Sequence, residues 1–379
     1  MALVLSDDQR MIREAADGFF ADHAPVSAHR KLRDAGDTLG FERATWKAMA
    51  EMGFAGVLVP EAHGGAGLGM VEAGLVMEAM GRNLSAAPML STALLGAAAL
   101  VKGGSAAQQA AHLPLMAAGE RLVALAADEA ARHAPFQVAT RAEPSGNGFR
   151  LTGVKPFVLD GLAADVLIVA ARTDGADGDR AGITLFLVPA EAVGVSRARR
   201  AMVDSRGAAR IALEGVEVDG ADVLGAVGGG AALLEAVLDV GRAGLAAEML
   251  GVAGESFGRT VDYLKQREQF GEKIGSFQAL QHRAAHLFCE LELARSATLK
   301  ALSALDAGDG RAALFVSLAK AKAGDVAKLA TNEAVQMHGG IGMTDDFDIG
   351  FFMKRARAAA ETFGDSAFHG DRLAQMVGY

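Results

Sequence analysis

A single cysteine, Cys289, leaves no partner for a disulfide framework and too few thiols for a zinc cluster, which fits a reducing compartment. Positive charge is in deficit. The 37 Lys and Arg against 46 Asp and Glu give a net charge of −9, which argues against a general binder of nucleic acid or anionic membrane. A phosphate-bearing ligand must therefore be met by local arginines. No uninterrupted apolar run approaches the roughly 18–20 residues of a membrane span. The opening MALVLSDDQR lacks a charged segment followed by an apolar one, so no secretory signal and a cytoplasmic location are expected. Proline is scarce as well: all eight lie at or before Pro189, so none breaks a helix in the second half. Apolar residues, by contrast, make up 51% of the 379, which implies a large core, buried subunit surfaces and two or three subdomains.

Residues 6–120 read as mainly helical. Ser6 or Asp7 can cap a first helix with apolar positions Met11, Ile12, Ala15, Phe19 and Phe20; a second near Phe41–Met52 carries the only tryptophan, Trp46. The Pro/Gly-rich GVLVPEAHGGAGLGM then leads into a helix over Met70–Gly81. Its glycines miss the dinucleotide spacing G-x-G-x-x-G, because Met70 stands where the last glycine should be, and they read as a turn. From residue 121 the pattern alternates. RLVALAADE, GFRLTGVKPFVL, ADVLIVAART, GITLFLVPA and AARIALEGVEV are β-rich runs separated by turn signals at Ser145–Gly148 and Asp174–Gly175, predicting a small barrel or sandwich. From Gly229 the chain reads as a helical bundle, in which Gly244, Gly251 and Gly258 share one helix face and let another helix approach closely. The expected fold is α+β with three parts: an N-terminal helical domain (1–120), a middle β-barrel or sandwich domain (121–228) and a C-terminal four-helix bundle (229–379).

Helix periodicity breaks at Gln269-Phe270-Gly271, between two long helical stretches, with Ser276 as an N-cap for the second. Lys265, Arg267 and Lys273 surround that joint, and Phe270 offers a ring, a combination suited to phosphates and a flat base. A solvated basic turn is the blander reading. Gly254-Glu255-Ser256-Phe257-Gly258 matches G-x-S-x-G, but a hydrolase elbow needs a strand before it, and these flanks are helical. At Gln336-Met337-His338-Gly339-Gly340 the glycines end a helix, and their bare backbone would let a nucleotide lie close.

The run Arg267, Gln269, Phe270, Gly271, Ile274, Phe277, Gln278, Leu280, Gln281, His282 resembles the R-x-Q-F-G-x-x-I-x-x-F-Q-x-L-Q-H signature of the flavin-dependent acyl-CoA dehydrogenases. The V-P-E-x-x-G-G-x-G run and the helical–β–helical order agree, so the resemblance covers essentially the whole chain. It implies FAD as cofactor. Arg267 would pair with the pyrophosphate, Gln269 and Gln278 would hydrogen-bond it, and Phe270 would pack on a ring. Gln336, Gly339 and Gly340 match the Q-x-x-G-G run that meets the flavin nucleotide across a dimer interface.

Two regions depart from the family. The T-E-P-x-x-G-S-D run of the first β segment is replaced by Ala127-Asp128-Glu129-Ala130-Ala131-Arg132-His133. In the G-x-K-x-W-I-T-N-G run, Phe157 replaces the ring-packing tryptophan and Leu159 the hydroxyl residue. The reaction needs a carboxylate to take a proton beside the thioester. Phe363 stands at the usual glutamate of Y-E-G-T, and Gly241 at the alternative position before Arg242. Glu361 and Asp365 are the nearest acids, and Asp365 is the candidate base. This combination resembles the small subunits of two-component enzymes such as pimeloyl-CoA dehydrogenase and related steroid side-chain enzymes. The implied function is α,β-dehydrogenation of an acyl-CoA, with electron-transfer flavoprotein as acceptor and self or a homologous chain as partner. Alternatives are a catalytically silent assembly subunit, or a flavin oxidase or monooxygenase on the same fold.

Overall fold

A computed structural model describes residues 4–379. Residues 1–3, which open the MALVLSDDQR run, lie outside the described residues. The helices before the sheet are α1 (Asp7–His23), α2 (Val26–Asp34), α3 (Arg43–Glu51), α4 (Met70–Asn83), a π-helical stretch (Met89–Gly96) continuing as α5 (Ala97–Gly103), and α6 (Ala106–Ala117). The strands are β1 (Val123–Ala126), β2 (Arg141–Ser145), β3 (Gly148–Leu159), β4 (Val166–Arg172), β5 (Ile183–Pro189), β6 (Val195–Arg199), β7 (Ala208–Asp219) and β8 (Val223–Leu224). Helix α7 (Gly230–Gln266) follows, then a hairpin of β9 (Glu268–Gln269) and β10 (Glu272–Lys273), then α8 (Gln278–Asp306), α9 (Ala312–His338), α10 (Ile349–Glu361) and α11 (Ser366–Val377). The chain thus runs helical, β, helical in the expected order.

These elements form two compact units. One contains the chain up to Lys31, Met70–Ser85 and Arg242–Tyr379; the other contains Leu32–Gly69 and Ala86–Gly241. In the first, Ser6 caps α1 through a reciprocal pair with Gln9, the capping box of a helix N-terminus. Phe19 and Phe20 are buried as expected, but with Ala16 rather than Ala15 beside them, and Met11 is 61% exposed. The i, i+3, i+4 set beginning one residue later is the one that packs.

Helices α4 and α7 cross at two glycines. A Cβ on Gly81 would lie 2.1 Å from the Glu248 carbonyl oxygen, and one on Gly251 would lie 1.9 Å from that of Glu78. Close approach at Gly251 was expected from the sequence. Gly258, one heptad on, has nothing within 4 Å of an added Cβ, so the glycine face packs within the chain at one end and lies bare at the other. Glu248 and Arg355 form a buried ion pair at 3.0 Å between α7 and α10.

In the second unit, the GVLVPEAHGGAGLGM loop is a turn, as its spacing predicted. Gly64 and Gly67 take φ of 79° and 61°, and a Cβ on Gly65 would lie 2.1 Å from the Val59 carbonyl oxygen. Among the described residues the sheet has eight strands, ordered β6-β7-β3-β2-β4-β5-β8, with β1 pairing β4 in parallel. One apolar cluster draws Ala124, Leu151, Leu167, Val169, Phe186 and Ile211 from five strands, so the sheet wraps its own core. The β2–β3 hairpin closes where the turn residues predicted, at Ser145 opposite Gly148.

Candidate functional site

The first unit carries the candidate nucleotide corner. Helix α7 stops at Gln266, and Phe270 and Gly271, at φ of 57° and 82°, make the tight turn of the β9–β10 hairpin. Ser276 does not cap α8. It lies in a short 3-10 turn and its hydroxyl donates to Glu272 and to the Lys273 carbonyl, while α8 starts one residue after Phe277. The 3-10 turn over Ile274–Ser276 takes up the residues that sequence spacing allotted to the helix entrance.

Lys273 is paired with Glu268 at 2.6 Å. Arg267 is exposed, and its guanidinium makes no hydrogen bond or ion pair with another described residue. Phe270 is 93% exposed, its ring edge-on to Phe277 at 6.1 Å between centroids. The side-chain amides of Gln278 and Gln336 are exposed and unpaired among the described residues, whereas Gln269 donates to the Glu268 carbonyl.

The Gln336–Gly340 run ends α9 as expected, with Gly339 at φ 65°. Nothing lies within 4 Å of a Cβ added at Gly339 or Gly340, so this backbone is bare. His338 ties the run to the hairpin helix. Its ring packs between Tyr263 of α7 at 4.4 Å and Phe347 at 4.9 Å, and Nδ1 donates to the Ala334 carbonyl at 2.7 Å. Burial holds its pKa below the ordinary histidine value, and Nε2 is buried without a partner among the described residues. A free guanidinium, an uncovered ring and side-chain-free backbone at one end of packed helices fit a dinucleotide with phosphates and a flat base.

The turn between α10 and α11 carries the candidate chemistry. Phe363 is 7% exposed at φ 58°, and its carbonyl accepts from Arg242 Nε at 3.2 Å and from His369 Nε2 at 3.1 Å. Buried Lys320 donates to the Ala360 and Gly364 carbonyls at 2.8 and 2.9 Å. Burial, then the nearby Arg242, pulls the Lys320 pKa down to about 7. Burial, with Lys320, Arg242 and Arg372 close by, holds that of His369 down to about 2. Asp365 caps α11, accepting from the Phe368 N–H at 2.8 Å, and Glu361 pairs with Arg357 at 3.2 Å.

In the second unit, Phe157 sits in a bulge of β3 opposite β7, where pairing slips between Lys155 and Val158; bulges re-aim side chains. The sequence pattern did not show what the run replacing T-E-P-x-x-G-S-D does. Glu129 is the pivot: its carboxylate accepts from buried Lys155 and from the Ala139 and Thr140 N–H groups at 2.7 and 3.1 Å. Burial alone would raise its pKa, but these donors hold it below the usual range. His133 pairs with Asp128 at 2.9 Å within the same segment. The signal was a pairing between a glutamate of the replacing run and the retained lysine of G-x-K. The G-x-S-x-G match is inert: Ser256 is buried inside α7 and donates to the Val252 carbonyl.

Comparison with known proteins agrees with the fold. Family models for the acyl-CoA dehydrogenase N-terminal, middle and C-terminal domains match residues 6–120, 126–219 and 228–378. The chain belongs to the acyl-CoA dehydrogenase family, flavoprotein oxidoreductases of β-oxidation acting on CH–CH bonds. Mitochondrial isovaleryl-CoA dehydrogenase of Pongo abelii is 32% identical over 360 residues, 93% of this chain and 84% of that one. Among solved structures, a variant of the Tcur3481–Tcur3483 steroid ACAD superposes with a TM-score of 0.88 at 31% identity, covering 98% of both chains. The ChsE4–ChsE5 complex of Mycobacterium tuberculosis gives 0.89 at 26%, covering 100% of this chain and 99% of that one. Among the described residues, no helix is long and apolar enough to cross a membrane.

Proposed function

We propose that this chain binds FAD as one subunit of a heteromeric acyl-CoA dehydrogenase that introduces an α,β double bond into an acyl-CoA thioester. The observation that carries this reading is the nucleotide corner: Arg267 unpaired, Phe270 uncovered, and the backbone of Gly339 and Gly340 bare. Arg267 would hold the pyrophosphate, Gln269, Gln278 and Gln336 would hydrogen-bond the nucleotide, and Phe270 would pack on a ring. In the β unit, Phe157 would cover one flavin face. FAD, when bound, supplies the acceptor for the hydride leaving the substrate β-carbon, and electron-transfer flavoprotein then takes the electrons. The fully exposed corner makes most physical sense when a second subunit brings its flavin to it, and two of the similar solved structures are named as two-chain assemblies.

Asp365 is the carboxylate this chain offers for proton abstraction, two residues from the family's glutamate position. A second reading, an assembly subunit without turnover of its own, is favoured by Phe363. That residue is buried with its carbonyl bound by Arg242 and His369, so the turn is fixed with a ring where the family's acid stands. Purification with and without a homologous acyl-CoA dehydrogenase chain tests the reading. Stoichiometric FAD in the mixed assembly supports it; a colourless protein that cannot be loaded with FAD even beside its partner defeats it.

A further inference from the structure

The first unit contains a cavity of about 300 Å³ lying among α1, α4, α7 and α8, at the lower end of the roughly 300–1,000 Å³ typical of small-molecule sites. Its walls include Val71, Leu75, Ala247, Leu250 and Leu302, all at most 7% exposed. At Gly74 α4 packs tightly on α8, where a Cβ would lie 2.5 Å from Leu302 Cδ1.

Two polar groups in the lining make no hydrogen bond with another described residue. Thr298 is 2% exposed, and its Oγ1 is buried with no hydrogen bond to a described residue. Arg13 of α1, half-buried, makes no hydrogen bond with another described residue. The other charges at the cavity are spoken for: Arg10 by Asp7, and Glu78 by Arg82 at 2.7 Å and Arg295 at 2.9 Å. Asp17, one turn along from Arg13, faces Arg82 at 3.3 Å. The cavity is therefore apolar, with one guanidinium that meets the Asp17 carboxylate only through space, without a hydrogen bond, and one unsatisfied hydroxyl. An unsatisfied buried hydroxyl is costly, and a guanidinium without a hydrogen bond prefers a carboxylate.

We propose that this cavity is a binding site for a small amphipathic carboxylate, its apolar tail among the α4, α7 and α8 side chains and its carboxylate on Arg13 and the Thr298 hydroxyl. The site is separate from the nucleotide corner and does not rest on the reading of that corner.

Octanoate is the probe, titrated calorimetrically into the full-length protein in its native assembly, with octanol as the uncharged control. Saturable octanoate binding is expected, weakened about tenfold or more in Arg13→Gln and again in Thr298→Val, and unaffected by saturating octanoyl-CoA. Arg13 is only half-buried and makes no hydrogen bond with a described residue, so its replacement disturbs the fold less than Thr298→Val. Octanoate binding that is absent, that is unchanged in Arg13→Gln, or that octanoyl-CoA displaces overturns the proposal. Octanol binding as tightly as octanoate overturns the carboxylate assignment.

Discussion

The imidazole of His338 packs 4.4 Å from the ring of Tyr263, centroid to centroid, and so fastens the end of α9 to the end of α7. That single contact brings together the two runs, Arg267–His282 and Gln336–Gly340, whose starts are some seventy residues apart in sequence. Neither side chain belongs to the resemblance that pointed to the flavin. They instead hold the residues that do.

The first prediction separates cofactor binding from folding at this corner. Gly340→Val adds side-chain atoms where nothing of the chain lies within 4 Å, so stability should change little while FAD loading falls sharply. Arg267→Ala should lose on the order of tenfold or more in FAD affinity, since a charge-assisted hydrogen bond is worth roughly 1.5–3 kcal/mol. Flavin content after dialysis, read beside the thermal midpoint, checks both. A variant that keeps its flavin refutes the assignment of that residue.

Glycines on α7 should respond in opposite directions. Gly251→Ala places a Cβ 1.9 Å from the Glu78 carbonyl oxygen and must push α4 away, a cost of about 1–3 kcal/mol or more. Gly254→Ala meets nothing within 4 Å and should gain up to about 1 kcal/mol from helix propensity. Denaturant midpoints decide. Equal effects at the two positions would show that the α4–α7 crossing is looser than described.

How far the sequence revealed all this varies by element. The apolar strands β3, β4, β5 and β7 were legible because their alternation or continuous apolarity is strong. Strands β2 (RAEPS) and β6 (VSRAR) were not, since both lie largely exposed and carry charge or proline. Helix α2, VSAHRKLRD, was hidden by the same polarity. The division into two interleaved units could not be read from a linear pattern, because α4 joins helices that follow it by well over a hundred residues. At the site, motif residues were visible, but the supports were long-range pairs: Glu129 with Lys155, and Lys320 with the carbonyls of the 360–364 turn.

Stability should depend on pH through His369 and Lys320. His369 titrates near 6.5 when unfolded and is held down to about 2 when folded. The unfolded chain therefore binds more protons below pH 6.5, and stability falls as pH drops through that window, by about 2 kcal/mol at pH 5. His369→Gln should flatten that limb. Lys320 is lowered from 10.5 to about 7, so the unfolded chain again binds more protons between those values, and stability rises with pH across them. Lys320→Met should remove that rise. Urea denaturation from pH 5 to 10 measures both slopes; wild-type slopes persisting in the variants would assign the effects elsewhere.

Asp365→Asn isolates the candidate base, because asparagine also caps helices well and preserves the bond to the Phe368 N–H. Any slow flavin reduction shown by the chain alone should fall by roughly 10²-fold or more in this variant, and not in Glu361→Gln.

Single-turnover reduction of bound FAD by acyl-CoA under anaerobic conditions, with the chain alone and then assembled with its homologous partner, tests the account most directly. With Phe363 at the glutamate position, the chain alone should bleach its flavin at least roughly 10²-fold more slowly than the mixed assembly. Rapid bleaching by the isolated chain, unchanged in Asp365→Asn and in Glu361→Gln, would contradict it.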